Sequence, residues 1–302
     1  MTGLPTRLSE VTLLTRVRIA QAITRRSRLT LTTLALAAGA LSLTLTGSAV
    51  AHGDHFAVPA PPAVPTSASQ IQNIDQVKTA IKGYYGDTTT AQLDPVNGTT
   101  PLHTFSSTSS YASEMHGIEA RALSYLANPY RGENHHRHAH GQKAVLFDVD
   151  DTTLNTYSYE IYSNFVYNPT SNAAFVNSGV FPAVPGMPGL VTWAQDHGYT
   201  VFFLTGRPVS QTAGTKANLV NVGYPSVPDG QYYLKDLTAP WLSSCATTTP
   251  VCTTTQYKSL TRQHIESLGY DIVANFGDQF SDLNGGFADR TFKIPNPMYF
   301  LP

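Results

Sequence analysis

Acidic residues occur in the sequence at a place where they could hold a cation. Asp148, Asp150 and Asp151 follow directly after the apolar run 144–147. Three carboxylates within four residues repel one another unless a cation or a proton neutralises them. Because acidic turns are common on protein surfaces, this cluster alone does not predict a functional site. Polar residues that follow other predicted strands are needed as further evidence.

Other residues with suitable chemistry also lie close to apolar runs. Thr205 and Gly206 follow the run 200–204 and offer a hydroxyl and an open backbone amide, which suit an anionic oxygen. Further charged residues at or near such runs are Arg207, Lys258, Asp278 and Asp282. Together these groups could hold a hard divalent cation beside a phosphate.

The elements that would position these residues form a regular pattern. Continuous apolar runs predict buried parallel strands at residues 144–147, 200–204, 232–234, 272–276 and 291–294. Helical stretches separate them at about 186–197, 210–222 and 257–268. This order predicts the α/β class, with a doubly wound parallel sheet. Ligands of such sheets bind at the carboxyl ends of the strands, where the polar residues stand.

The segment before this pattern is less regular. Helices are predicted at about 71–84 and 111–126, with a polar loop around 97–99 between them, so that residues 70–142 form a helical extension of the α/β core 143–302. A histidine cluster at 135–140 fits either a metal-binding segment or a solvated loop, and it is left out of the predicted site.

The first 69 residues are predicted to precede the folded domain. Arg25 and Arg26 stand before an apolar, Thr-rich stretch, and Ala49-Val50-Ala51 has the small residues of a cleavage site. Residues 1–51 therefore predict a cleavable export signal, of either the twin-arginine or the ordinary secretory kind. Residues 52–69 are rich in Ala, Pro and Val and predict a flexible linker. The mature chain is expected to be secreted or held in the cell envelope, without a membrane span.

Charge and cysteine content restrict the partners and indicate the compartment of the mature chain. Beyond residue 51 the chain has 13 basic and 19 acidic residues, a formal charge of −6. Nucleic acid is excluded as a partner, because phosphate backbones require clustered Lys and Arg. Cys245 and Cys252 are predicted to form a disulfide, which is the usual state of such a pair outside the cell.

The ordered motifs resemble those of the haloacid dehalogenase superfamily. Within it the chain is most similar to the class B acid phosphatase group, which includes plant acid phosphatases, vegetative storage proteins and bacterial outer-membrane acid phosphatases. Residues 148–152 match the family's Asp-x-Asp-x-Thr motif, and residues 277–282 match Gly-Asp-x-x-x-Asp. Thr205 and Lys258 match the second and third motifs. The resemblance covers about 110–302 and includes residues 182–186, 202–207 and 292–299.

The resemblance implies an acid phosphatase that cleaves small phosphate monoesters with Mg²⁺. Asp148 would be the nucleophile, and Asp150 would protonate the leaving oxygen and then activate water. The implied metal ligands are the side chains of Asp148 and Asp278 and the backbone carbonyl of Asp150. Residues implied to bind phosphate are Thr205, Gly206 and Lys258, and those implied to support the site from behind are Asp282 and Arg207.

Several alternatives remain open at this point. Asp151 is expected to face away from the metal, Arg207 could be a structural ion-pair partner, and Tyr159 could line the leaving-group pocket or pack in the core. Asn155 could turn the loop or contact substrate. A phosphotransferase on the same site, a catalytically silent storage protein and a surface adhesin are the rival functions. The substrate, the pH optimum and the oligomeric state are not predicted.

Overall fold

A computed structural model of the chain describes residues 66–67, 73–128, 141–247 and 251–301. All of them belong to the compact unit Val64–Pro302. The export signal at 1–51, nearly all of the linker at 52–69 and the histidine cluster at 135–140 lie outside the described residues. Their assignments therefore stay predictions.

The described chain alternates helices and strands over most of its length. In chain order the elements are α1 (Ile74–Tyr85), β1 (Thr88–Leu93), β2 (Pro101–Thr104), α2 (Ser110–Leu126), β3 (Gln142–Phe147), α3 (Tyr157–Tyr162), α4 (Pro169–Ser178), α5 (Met187–Asp196), β4 (Thr200–Pro208), α6 (Thr212–Asn221), β5 (Tyr232–Lys235), α7 (Ser243–Ala246), α8 (Thr254–Ser267), β6 (Tyr270–Gly277), α9 (Phe280–Leu283) and β7 (Arg290–Lys293).

The central sheet is parallel and has the order β5-β4-β3-β6-β7. All five predicted strands are present, and the predicted α/β class is confirmed. The chain runs outward from β3 to β5 and then returns to pair β6 with the other edge of β3. This change of direction at β3 is where parallel sheets open a crevice for a ligand. Strand β4 continues to Pro208, so Thr205 and Gly206 lie within it rather than after it.

The continuous apolar run of β3 is explained by helices on both faces of the sheet. Val145 and Phe147 belong to one buried apolar cluster, and Ala144 and Leu146 belong to a second cluster on the opposite face. The second cluster contains the disulfide between Cys245 and Cys252, with an S–S distance of 2.09 Å, as predicted. Among the described residues, no helix combines the length and the apolar character needed to cross a bilayer.

The segment between the first two helices differs from the prediction. In place of a plain polar loop, β1 and β2 pair as an antiparallel hairpin. The turn between them is closed by the Asp94 carboxylate, which accepts from the N–H groups of Val96, Asn97, Thr99 and Thr100 at 2.8–3.0 Å. The hairpin was missed because all six residues of β1 are exposed and show no apolar alternation.

Two further helices, α3 and α4, occupy a stretch for which no element was predicted. Their apolar positions have no clear helical period, although α4 carries good end signals. The Asn168 side chain caps its first turn, Pro169 is its first residue, and Gly179 ends it at φ 62°. These helices lie directly after the acidic loop and therefore contribute to the surroundings of the site.

Candidate active site

The site is built at one edge of the sheet, formed by the carboxyl ends of β3, β4 and β6, which we call the site edge. The loop after β3 places Asp148 there, and its backbone N–H donates to the carbonyl of Phe276 on β6 at 2.9 Å. Asp148 is 5% exposed. Burial and the nearby charge of Asp282 raise the pKa of Asp148 well above its usual value, although Lys258 opposes this shift.

Lys258 neutralises part of the negative charge of the site. Helix α8 places its ammonium 2.5 Å from Asp148 Oδ1 and 2.9 Å from Asp282 Oδ1. A third hydrogen bond, of 2.7 Å, runs to the carbonyl of Leu204 on β4. Burial alone would lower the pKa of Lys258, but the two carboxylates outweigh it and raise the pKa. Lys258 therefore stays protonated and holds the Asp148 carboxylate in place.

Asp278 is fixed by two amide side chains. Its Oδ2 accepts from Gln279 Nε2 at 2.6 Å and from Asn296 Nδ2 at 2.7 Å. Burial and the charge of Asp282 raise the pKa of Asp278 well above its usual value. Asn296 was not predicted as a site residue, although it lies in the family-like segment 292–299. Its place 18 residues after Asp278 gives no pattern that a single sequence reveals.

Asp282 contacts Lys258 and the backbone of the turn after β6. Its Oδ1 pairs with Lys258, and its Oδ2 accepts from the backbone N–H of Gln279 at 2.9 Å. Gly277 allows this approach, because a Cβ there would lie 2.4 Å from the Cβ of Asp282. The turn after β6 thus requires glycine where the motif has it.

Three carboxylates of the site edge could share one metal ion. One oxygen each of Asp148, Asp278 and Asp282 lie within 4.8 Å of one another, and all three residues are buried. With Lys258 as their ammonium partner, three ionised carboxylates would leave two buried negative charges, which are costly to keep without a cation or protons. An all-oxygen donor set of this charge fits a hard divalent cation.

Asp150 has a different environment. Both of its carboxylate oxygens accept from Arg207, with Nε at 3.0 and 3.1 Å and Nη2 at 2.6 Å. Arg207 is almost fully buried and also donates to Thr215 Oγ1 at 3.0 Å. The Asp150 side chain is 31% exposed, so it lies at the solvent side of the site edge. Arg207 is thus an ion-pair partner, and its partner is the predicted general acid.

Thr205 and Gly206 lie in the last part of β4, at the site edge. Thr205 is buried, and its hydroxyl accepts from the N–H of Arg207 at 3.2 Å. The hydroxyl of Tyr257 donates to the Thr205 carbonyl at 3.0 Å and so fixes the backbone. Gly206 is exposed, and no atom lies within 4 Å of the position of an added Cβ. Its backbone is therefore open to an incoming anion.

The structure assigns structural contacts to three residues that the sequence left open. Asp151 accepts from Thr156 and from the hydroxyl of Tyr299 at 2.8 Å, and burial raises its pKa to about 7. Asn155 accepts from the N–H of Tyr157 at 3.3 Å and turns the loop. Tyr159 is buried, and its hydroxyl bonds the backbone of Asn168 at 2.7 and 3.0 Å.

The sheet and the groups at its edge define a haloacid dehalogenase-like α/β protein, as the motifs implied. The sequence pattern of the HAD superfamily, subfamily IIIB (acid phosphatase), matches residues 76–302, so the chain belongs to that family. Acid phosphatases of this superfamily typically use a divalent metal, which agrees with the three grouped carboxylates.

Known relatives are similar over part of their length. Stem 28 kDa glycoprotein of Glycine max is 34% identical over 167 residues, which are 54% of this chain and 61% of that protein. Acid phosphatase 1 of Solanum lycopersicum is 33% identical over 197 residues, 63% of this chain and 69% of that protein. A class C acid phosphatase from Bacillus anthracis aligns over 63% of this chain and 80% of its own, with a TM-score of 0.48 and 20% identity. The chain thus spans less than two thirds of the soybean relative.

Proposed function

We propose that the protein is an exported, Mg²⁺-dependent acid phosphatase that hydrolyses small phosphate monoesters through a phosphorylated Asp148. The observation that carries the proposal is the grouping of Asp148 with Lys258 and two further buried carboxylates at one sheet edge. Family membership supports the reaction class. The disulfide and the N-terminal sequence support export.

The first chemical step is attack of the Asp148 carboxylate on phosphorus. Phosphate monoesters resist this attack because anion and nucleophile repel each other, so charge must be neutralised and the groups held in line. Lys258 orients Asp148 and offsets negative charge, and the Thr205 hydroxyl and Gly206 N–H would donate to phosphate oxygens. The side chains of Asp148 and Asp278 and the carbonyl of Asp150 would hold Mg²⁺. When bound, the ion supplies positive charge that reduces the repulsion.

Asp150 serves both halves of the reaction. It gives a proton to the leaving oxygen as the ester bond breaks, and it later takes a proton from the water that attacks the phosphorylated Asp148. In the structure both Asp150 oxygens accept from Arg207. A protonated oxygen cannot accept at the same position, so we infer that this pair loosens when Asp150 acts as an acid.

Turnover of p-nitrophenyl phosphate tests the proposal. We expect phosphate release with Mg²⁺, its loss in chelator, and a fall of at least about a thousandfold in Asp148→Asn, because the amide is no nucleophile. Near-ultraviolet circular dichroism checks that the variant is folded. A folded Asp148→Asn with substantial activity would refute the nucleophile assignment, and an inactive native protein would favour the storage-type alternative.

A further inference from the structure

The segment that follows β7 contacts both loops of the site edge. We call residues 296–301 the bridging segment. On one side Asn296 Nδ2 donates to Asp278 Oδ2, in the turn after β6, at 2.7 Å. On the other side the hydroxyl of Tyr299 donates to Asp151 Oδ2, in the acidic loop after β3, at 2.8 Å. The two loops that carry the proposed metal ligands are thus joined by a segment that supplies none of those ligands.

Further hydrogen bonds hold the bridging segment to the turn after β6. The N–H of Leu301 donates to Gln279 Oε1 at 3.0 Å, and the hydroxyl of Ser281 donates to the Leu301 carbonyl at 3.3 Å. Gln279 Nε2 also donates to the Tyr299 carbonyl at 3.4 Å. The backbone of Tyr299 is therefore fixed relative to that turn, and its hydroxyl connects the turn with the acidic loop.

Asp151 needs outside support because its backbone has an unfavourable conformation. Its φ is 54°, in the left-handed region that residues with a side chain rarely adopt. Its carboxylate is buried and accepts from several donors that stabilise this conformation. Among the described residues, the other donors, Asn155 and Thr156, belong to the acidic loop itself. The bond from Tyr299 is thus the one that ties this carboxylate to a distant part of the chain.

The conformation of Asp151 sets the direction of the Asp150 carbonyl. The two residues share one planar peptide group, in which the N–H and the C=O point in opposite directions. The Asp151 N–H donates to the Leu154 carbonyl at 2.7 Å, so the Asp150 carbonyl points to the other side of the loop. That carbonyl is the ligand that the loop would add to the side chains of Asp148 and Asp278.

We propose that Tyr299 is a positioning residue for the proposed Mg²⁺ site, which holds the Asp150 carbonyl in place through Asp151. This inference rests on the proposed phosphatase function. Residues behind metal ligands fix the direction of those ligands, and their loss typically weakens metal binding by about 10–100-fold. The Tyr299 hydroxyl stays a donor, because burial and the charge of Asp151 raise its pKa well above the usual value.

Isothermal titration calorimetry with Mg²⁺ alone, without substrate, tests the assignment. Tyr299→Phe removes only the hydroxyl, and we expect the Kd for Mg²⁺ to rise by at least about tenfold. Tyr199→Phe is the matched control. Tyr199 is buried, and its hydroxyl donates to the Leu126 carbonyl at 2.7 Å. It directly precedes β4, at the end of the sheet opposite to the site edge, so its loss should leave the Kd unchanged.

A change of Asp151 tests whether Tyr299 acts through that residue. Asp151→Gly removes the acceptor, and glycine adopts a φ of 54° without strain. We expect this variant to bind Mg²⁺ at least as weakly as Tyr299→Phe does. The double variant should have the same Kd as Asp151→Gly alone, because the two changes remove one interaction. If removal of the hydroxyl weakens binding equally in both backgrounds, Tyr299 acts by another route and the inference is wrong.

Turnover of p-nitrophenyl phosphate by the native protein separates this inference from the proposed function. An active native protein with an unchanged Kd in Tyr299→Phe would refute the positioning role and leave the phosphatase function standing. An equal rise of the Kd in Tyr299→Phe and Tyr199→Phe would also refute it, because the loss of any buried hydroxyl would then have this effect. A native protein that binds no Mg²⁺ would overturn the inference, whereas the phosphatase activity fails only if no ester is hydrolysed.

Discussion

At the residue scale, the properties of the site follow from charges that the fold has removed from water. Asp148, Asp278 and Asp282 are buried together, and Lys258 provides one ammonium for them. Such an arrangement holds its geometry before substrate arrives, because each of the three carboxylates has at least one oxygen held by a hydrogen bond or by Lys258. It also keeps the protein dependent on a cation or on protons, since one lysine cannot balance three ionised carboxylates.

Glu160 gives a prediction about protein stability that can be tested without measuring enzyme activity. Burial raises its pKa from 4.5 to about 7, so the folded state binds this proton more tightly than the unfolded chain does. Protonated Glu160 contributes to the free energy of unfolding. This contribution is fully present below pH 4.5 and is lost as the pH rises to about 7. Between pH 5 and pH 8, the free energy of unfolding of Glu160→Gln should therefore increase by about 2–3 kcal/mol relative to that of the native protein. Urea unfolding at both values measures this difference.

The native protein will show further pH dependence from Asp151, whose pKa is also about 7. The quantity to compare at pH 5 and pH 8 is therefore the difference in the free energy of unfolding between the variant and the native protein. Asp196→Asn is the control for loss of an exposed charge. If Glu160→Gln and the native protein lose the same stability between pH 5 and pH 8, the pKa of Glu160 is not raised in the folded protein.

Residue types at the site could be predicted from the sequence, but their partners could not. Asp148 and Asp278 could be predicted because each follows an apolar strand and matches an acidic motif of the family. The bond from Arg207 to Asp150 joins residues 57 positions apart, and that from Asn296 to Asp278 joins residues 18 apart. Such separations are set by the fold, and no local pattern encodes them.

At the element scale, helix α8 connects the core with the site edge. Lys258 and Arg262 are four residues apart and therefore share one face of the helix. Arg262 is fully buried, and its guanidinium donates to three carbonyls in the segment after β6: Asp282 at 2.5 Å, Gly286 at 2.8 Å and Asn284. One helix thus contacts the proposed nucleophile through Lys258 and holds the turn that carries the proposed metal ligand Asp278 through Arg262.

Replacing Arg262 should loosen that turn. Arg262→Met removes three donors and leaves buried carbonyls unpaired, so we expect a loss of at least about 3 kcal/mol of stability. Because Asp278 and Asp282 lie on the released turn, the Mg²⁺ concentration needed for half-maximal activity should rise. Arg290→Met is the control, since Arg290 is exposed on β7. A variant that loses stability but keeps the same Mg²⁺ requirement would show that Arg262 supports only the core.

The elements themselves were predictable to different degrees. Buried strands have a strong signal, because both faces of β3 and β6 must be apolar. Helix α8 begins at Thr254, three residues before the predicted start, because Thr253 and Gln256 form a capping box that apolar periodicity does not register. Helices α3 and α4 depend on caps and on packing against the rest of the domain rather than on an amphipathic pattern.

At the scale of the whole molecule, the strand order brings the site together. β3 lies at the centre with β4 on one side and β6 on the other, so the three strand ends that carry Asp148, Thr205 and Asp278 are neighbours. The alternation of strands and helices predicted a parallel sheet, but it left the order of the strands open. The hairpin β1-β2 could not be foreseen, because its stabilising contacts lie in the Asp94 turn and against α3.

Binding of a metal ion at this junction should stabilise the entire domain. An ion that binds only the folded state at one hundred times its dissociation constant adds about 2.7 kcal/mol. For a domain of this size, that should raise Tm by about 5–10 °C. Differential scanning fluorimetry with Mg²⁺ and with chelator measures the shift. In Asp278→Asn the shift should largely disappear, whereas Asp229→Asn, which alters an exposed ion pair with Lys216, should keep it. An equal shift in Asp278→Asn and the native protein would place the ion elsewhere and remove the physical basis of the proposed site.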